Sequence, residues 1–167
     1  MRRPKEKNIL PFLCGVLILL VASIADTVDS APKPEGVLGL WQTPPNPEDG
    51  AAIVEISRAG EGLSGKIVWL EKPVYGPKHP ASGQAKTDRN NPDPSLRARP
   101  ILGLVILSGF RWDGSKWVDG SVYDPISGKT YRATLYLEAP ERLRLRGYVG
   151  IPLFGRSEVW MRVPALP

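Results

Sequence analysis

The chain has 167 residues, a formal net charge of +5, one cysteine and one histidine. This length fits one ordinary domain and is too short for two. A single cysteine excludes an internal disulfide, and one cysteine with one histidine is too few for a zinc site of the usual kind. The composition therefore indicates one small domain without disulfide or thiolate-metal chemistry.

Residues 1–25 have the pattern of a secretory signal peptide. Four cations precede an uncharged apolar run over residues 9–24, and Ser23 and Ala25 are the small residues that a signal peptidase reads, so we expect cleavage after Ala25. The alternative is an uncleaved anchor, but the run is shorter than the roughly 18–20 residues that span a bilayer. We therefore predict a periplasmic or secreted protein that contacts the membrane only through this segment before cleavage.

Cleavage after Ala25 changes what the composition implies. It removes Cys14, and it lowers the formal net charge from +5 to +2 because four cations and Glu6 are lost. So small a positive charge gives little reason to expect a nucleic acid partner.

The rest of the chain is predicted to be a short leader and one domain. Residues 26–35 are polar and predict a flexible leader, and the domain is expected to span residues 36–164. Within it, runs rich in branched and aromatic residues alternate with turn residues, as in β-hairpins. The eight runs are residues 37–41, 52–56, 65–71, 101–112, 116–123, 129–138, 142–149 and 157–163.

The seventh run shows the clearest alternation. Leu143 and Leu145 alternate with Arg142, Arg144 and Arg146, which is typical of a strand with one buried face. No segment of the domain shows a sustained helical period. The pattern predicts an all-β fold, an eight-stranded antiparallel β-barrel that closes on itself, with a β-sandwich as the alternative.

Residues 72–100 interrupt the rhythm with a long, proline-rich loop. Such loops are usually functional or disordered. Asp93 and Pro94 predict the start of a short plug helix before the fourth strand, with Leu96 pointing inward to seal the barrel. Arg97 and Arg99 have two interpretations: they bind an anionic head group at the barrel mouth, or they pair internally with acids such as Asp88.

Several segments carry a family resemblance. Gly39-Leu40-Trp41 on the first strand resembles the G-x-W element of lipocalins, in which the tryptophan closes one barrel end against an arginine of the last strand. Here Arg162 is the natural partner, and Gly39, Trp41 and Arg162 are predicted to close the barrel. With residues 66–70, 87–103, 123–131 and 146–156, the chain resembles a family of small exported bacterial proteins classed as domain of unknown function 2147.

That resemblance implies a lipocalin-like barrel, export, and no established activity. We therefore predict a binding protein that holds a small apolar or amphipathic molecule, with no cofactor and no metal. The alternatives are a cell-envelope interaction module with a filled barrel, and a hydrolase-type enzyme that uses Asp88 and Asp93. No catalytic residue is assigned, since His79 lies in a loop without a recognisable partner. The candidate ligand contacts are Trp69, Asp88, Asn91, Arg97, Arg99, Tyr123, Tyr131 and Tyr148.

Overall fold

A computed structural model describes residues 34–151, 153 and 155–167. The predicted signal peptide and the predicted leader as far as residue 33 lie outside the described residues. The described strands are β1 Gly39–Gln42, β2 Ala52–Ala59, β3 Gly62–Leu70, β4 Val105–Trp112, β5 Trp117–Asp124, β6 Lys129–Ala139, β7 Arg142–Tyr148 and β8 Arg156–Val163. Over these same residues, no helix has the length and apolar character needed to cross a membrane.

The eight strands form one closed antiparallel barrel. Each strand pairs with the next along the chain, and β8 pairs back with β1, where Trp41 lies opposite Arg162. This confirms the predicted fold class and excludes the sandwich alternative. Because neighbouring strands run in opposite directions, the β1–β2, β3–β4, β5–β6 and β7–β8 connections all lie at one end of the barrel, and the short turns lie at the other.

The predicted alternation on β7 is confirmed. Leu143 and Leu145 are buried inside the barrel, whereas Arg142 is exposed and Arg144 and Arg146 are partly exposed. The same period on the other strands fills the interior with apolar side chains, which is the main stabilising term of the fold. Large members of this core are Trp41, Val54, Ile56, Leu107, Phe110, Trp117, Leu135, Leu143 and Trp160.

Three strand boundaries differ from the prediction by three or more residues. β4 begins at Val105, not at residue 101, since Gly103 adopts a φ of 88° and ends a turn before the strand. In the first hairpin the ladder continues to Ala59 opposite Gly62, so β2 ends later and β3 begins earlier than predicted. The apolar composition of the sequence does not indicate where these strands begin or end.

One end of the barrel is closed by the N-terminal 3-10 turn, Pro34–Val37. Val37 is buried, its carbonyl accepts a hydrogen bond from Trp41 Nε1 at 2.8 Å, and the Pro34 carbonyl accepts one from Trp117 Nε1 at 3.2 Å. The predicted boundary between the leader and the domain, after Glu35, falls within this turn. The turn covers the barrel interior at the end where the short hairpins lie.

Gly39, Trp41 and Arg162 meet at this closed end. The Arg162 guanidinium lies over the Trp41 ring at 4.1 Å from its centroid and donates to the carbonyls of Gly36 and Leu38 at 2.5 and 3.0 Å. Gly39 has a φ of 117°, and a Cβ there would lie 3.1 Å from an Arg162 nitrogen. Glycine at this position therefore gives the backbone its bend and leaves room for the guanidinium.

The loop between β3 and β4 contains a second 3-10 turn, Pro94–Leu96. Asp93 caps it, because its Oδ1 accepts hydrogen bonds from Ser95 Oγ at 2.8 Å and from Ser95 N at 2.9 Å. The bond from the Ser95 hydroxyl, followed by the bond from its backbone N–H, holds the pKa of Asp93 below its ordinary value. The expectation that Leu96 points inward is wrong. A turn of three residues at the surface has no inner face to bury, and Leu96 is exposed.

Candidate functional site

The barrel encloses a cavity of about 820 Å³ that reaches the end opposite the N-terminal 3-10 turn. Its position follows from the pairing, because residues from all four connections at this end line it together with inward-facing strand residues. The deeper wall is apolar and consists of Ala52, Ile67, Leu70, Ile106, Val122, Leu145 and Trp160. This cavity, here also called the chamber, therefore has an apolar wall formed by the strands and opens at the end where the four connections lie.

Polar and aromatic side chains border the mouth of this cavity. Four tyrosines line it and present aromatic faces, but the hydroxyls of Tyr75 and Tyr123 already bond to Thr87 and Asp88. The four tyrosines are Tyr75, Tyr123, Tyr131 and Tyr148. The arrangement suits a molecule with an apolar body and a polar end, because the depth of the cavity is apolar and the opening offers hydrogen bonds.

A buried lysine lies in the wall near the mouth. Lys86 is only 7% exposed, and its Nζ lies 2.8 Å from Asp49 Oδ1. The backbone of Lys86 bonds to Pro73 and Ile101, so the loop between β3 and β4 holds this side chain against the barrel. Lys86 and Asp49 were not among the predicted site residues. Thirty-seven positions separate them, and no local pattern indicates that the loop brings them together.

Asp88 is the centre of a hydrogen-bonded cluster beside the cavity. Its side chain is fully buried and accepts from Tyr123 Oη at 2.5 Å, Asn91 Nδ2 at 2.7 Å and Arg99 Nε at 2.9 Å. The Asp88 N–H also donates to the Arg99 carbonyl at 2.9 Å. These contacts satisfy a buried charge and fasten the long loop to β5 through Tyr123.

The eight predicted ligand contacts occupy three different places. Tyr123, Tyr131 and Tyr148 line the main cavity, whereas Asn91 and Arg99 line a smaller adjoining cavity of about 290 Å³, which Tyr123 also borders. Arg97 donates to the Asn91 carbonyl at 2.8 Å and, with Trp69 and Asp88, lies outside both linings. Arg97 and Arg99 thus make contacts within the protein, as the second of their two interpretations proposed.

Trp69 lies outside the cavity because of a bulge in β3. The register places Ile53 opposite Trp69 and Val54 opposite Ile67, so β3 carries one extra residue at this point. An extra residue reverses the inward and outward positions beyond it. Leu70 therefore lines the cavity in the place that strict alternation assigns to Trp69.

The residues considered for catalysis from the sequence, His79, Asp88 and Asp93, each have close partners in the structure. His79 stacks on Tyr75 with ring centroids 4.1 Å apart, and its Nδ1 accepts from Ala81 N. Asp93 caps its turn, and Asp88 is fully engaged. Within the part of the chain that the structure describes, no group of three potential metal ligands occurs.

Burial raises the pKa of Tyr123, and the hydrogen bond and charge of Asp88 raise it further. The folded protein therefore holds the Tyr123 proton more tightly than the unfolded chain does. The resulting stability is fully present below the ordinary tyrosine pKa of about 10 and is lost as the pH rises through the higher folded-state pKa.

We expect Tyr123→Phe to remove this part of the alkaline pH dependence. Urea unfolding from about pH 8 to pH 11 should show a shallower decline of stability for Tyr123→Phe than for the wild type. Tyr136→Phe is the control, because Tyr136 lies on β6 outside the cluster. Parallel declines in the wild type and Tyr123→Phe would contradict the expectation.

The comparisons with known proteins agree with this geometry. Residues 39–162, more than half of the chain, match the family model described as an uncharacterized protein conserved in bacteria, DUF2147. The chain belongs to this family. The family resemblance of the sequence segments is thereby confirmed. The family description names no activity and no ligand.

A solved structure shows the same fold. The chain is similar to protein HP1028 from the human pathogen Helicobacter pylori, which is described as belonging to the lipocalin family. The two sequences are 24% identical, the TM-score is 0.64, and the match covers 75% of this chain and 82% of that chain. At this identity the likeness establishes a lipocalin-like fold and nothing about a ligand. No curated protein matches the chain.

Proposed function

We propose that this family member is exported and binds one small amphipathic molecule in the barrel cavity. The observation that carries the proposal is the cavity itself. Its volume of about 820 Å³ lies within the range of roughly 300–1,000 Å³ that is usual for small-molecule sites. A barrel packed solid to both ends would leave no such space, so the cavity favours ligand binding over the alternative of a filled barrel.

The lining supports an occupant that is apolar at one end and polar at the other. Ile67, Leu145 and Trp160 lie in the barrel wall, where an aliphatic or aromatic body would be removed from water. Tyr131 and Tyr148 lie nearer the mouth, where their hydroxyls are placed to bind a polar end. Export is supported by the charge, length and cleavage-site pattern of residues 1–25.

Native mass spectrometry of the protein purified from its own cells tests both parts of this proposal. We expect a main species that lacks residues 1–25 and carries a small molecule, which leaves on gentle activation. A clean unliganded mass, together with no change in melting temperature across a panel of fatty acids and lysolipids, would overturn ligand binding. An intact N-terminus would overturn the cleaved signal peptide.

A cavity-filling variant is the sharper test. Gly147 lines the cavity with an ordinary φ, and a Cβ there would lie 3.6 Å from its nearest neighbours, so a larger side chain projects into the chamber without backbone strain. We expect Gly147→Leu to weaken binding about tenfold or more, since lost apolar contact of about 1.4 kcal/mol has that effect. The measurement is the midpoint of a ligand titration that follows melting temperature.

Gly76→Leu is the matched control. Gly76 is exposed, has an ordinary φ, and has no atom within 4 Å of the Cβ position, so the same substitution adds the same side chain outside the barrel. We expect its titration to match the wild type. Equal affinities for Gly147→Leu and the wild type would show that the bound molecule does not occupy this cavity.

A further inference from the structure

Three of the four connections at the cavity mouth expose aliphatic side chains to solvent. These side chains, here called the rim, are between 46% and 76% exposed, and several exposed apolar side chains at one end of a domain are more informative than a single one. The rim consists of Val74, Ile126, Val149, Ile151 and Leu153. Ile126 and Val149 also line the cavity mouth, so the rim is continuous with the chamber.

Each rim-bearing connection also carries an exposed cation. Lys78 follows Val74, Lys129 follows Ile126, and Arg156 follows the β7–β8 connection. Among the described residues, the side chains of these three cations have no hydrogen-bond or ion-pair partner. By contrast, Arg58 and Arg144 at the opposite end of the barrel contact carboxylates.

Most acidic side chains at the open end of the barrel accept hydrogen bonds from neighbouring groups. Asp49 pairs with Lys86, and Asp124 accepts hydrogen bonds from Ile126 N and Ser127 Oγ inside its turn. Glu158 accepts from the Trp160 indole inside the barrel mouth. Exposed Glu48 lies on the β1–β2 connection, which is the one without a rim residue. On the β3–β4 connection, Glu71 accepts a hydrogen bond from Ala51 N and Asp93 accepts from Ser95. Three of the four connections at this end therefore carry both an exposed aliphatic side chain and an exposed cation.

We infer that the open end of the barrel docks on an anionic lipid surface. Aliphatic side chains on separate loops around an opening can each enter the head-group region, and neighbouring cations are attracted to lipid phosphates. The β1–β2 connection, with Glu48, lies at the same end but carries no rim residue, so contact with the bilayer falls on the other three connections. Docking brings the cavity mouth to the lipid. The inference depends on the rim and the cations and does not require a bound ligand.

The test uses position-specific probes on the full chain, because residues 9–24 are apolar enough to bind vesicles by themselves. In a Cys14→Ala background, single cysteines at Ile126→Cys or Leu153→Cys carry an environment-sensitive NBD fluorophore, and Met161→Cys carries it on the outer wall of the barrel. Met161 is exposed to a degree similar to Ile126, so it is the matched control site.

Vesicles that contain phosphatidylglycerol should raise the NBD emission severalfold and shift it to the blue at both rim sites but not at position 161. The change should be much smaller with pure phosphatidylcholine, and smaller in about 1 M salt, where the Debye length falls to about 3 Å. Unchanged emission at both rim sites, or an equal change at position 161, would overturn docking by the rim.

The cations are tested in the same labelled protein. Combined Lys78→Gln, Lys129→Gln and Arg156→Gln should raise the lipid concentration at half-maximal emission severalfold. Lys116→Gln, on the β4–β5 turn at the closed end, should leave it unchanged. An equal effect of Lys116→Gln would overturn the anionic part of the inference. A rim signal that grows with protein concentration in the absence of vesicles would instead indicate a second copy of the chain as the occupant.

Discussion

Asp88→Ala is expected to lower the free energy of unfolding by about 3–5 kcal/mol, the cost of breaking a buried ion pair from one side. The loss comes from three donors that lose one acceptor at once: Tyr123 Oη, Asn91 Nδ2 and the Arg99 guanidinium. Arg99 is 37% exposed, so water satisfies part of its lost bond, and we expect a value near the lower end.

Urea unfolding followed by tryptophan fluorescence measures this loss as a lower midpoint at an unchanged m-value. Asp88→Asn keeps one carbonyl oxygen and removes the charge, so we expect it to lie between the wild type and Asp88→Ala. Asp93→Ala is the control on the same loop, since its carboxylate caps only a surface turn, and its loss should be much smaller. Near-equal midpoints for Asp88→Ala and Asp93→Ala would refute the cluster as an anchor.

The fold was predictable because its signals are local. Turn residues bound nearly every strand, and the alternation of leucine and arginine on β7 marks one buried face without reference to any distant residue. The boundaries that failed depend on backbone geometry. Gly103 ends a turn that composition cannot distinguish from the start of a strand. Pro34–Val37 forms a 3-10 turn that packs over the end of the barrel, and this packing depends on the folded barrel.

The site was only partly predictable, for a related reason. Tyr123 and Tyr131 flank a hairpin turn, so two strands that must pair also bring these rings to one place. Trp69 lies elsewhere because of a bulge, which leaves no mark in the sequence of β3. Lys86 reaches Asp49 through the path of a long loop, and such contacts between distant positions follow from the folded backbone and not from residue spacing.

At the closed end of the barrel, Trp41→Ala is expected to cost about 3–5 kcal/mol, because it leaves a large void in a fully buried position and removes the hydrogen bond to the Val37 carbonyl. Arg162→Met should cost about 2–5 kcal/mol. That figure combines charged hydrogen bonds of about 1.5–3 kcal/mol with a cation–π contact of about 0.5–2 kcal/mol. Both losses are measured by urea unfolding.

A double-mutant cycle separates the ring contact from the hydrogen bonds. Trp41→Leu, Arg162→Met and the combined variant should give a coupling free energy of about 0.5–2 kcal/mol, since the guanidinium faces the ring at 4.1 Å. Arg58→Met with Trp117→Leu is the matched control cycle. Arg58 lies 5.1 Å from the Trp117 ring centroid and its charge is also paired with Glu35, so we expect weaker coupling there.

The ligand titration shows whether closure and binding are separate properties of the barrel. Arg162 and Trp41 lie outside the cavity lining, so Arg162→Met should melt earlier while the ligand still raises its melting temperature by the same amount as in the wild type. If the ligand no longer raises the melting temperature of Arg162→Met, ligand binding depends on the closed end of the barrel. The cavity would then depend on the 3-10 turn, which Arg162 holds through the carbonyls of Gly36 and Leu38.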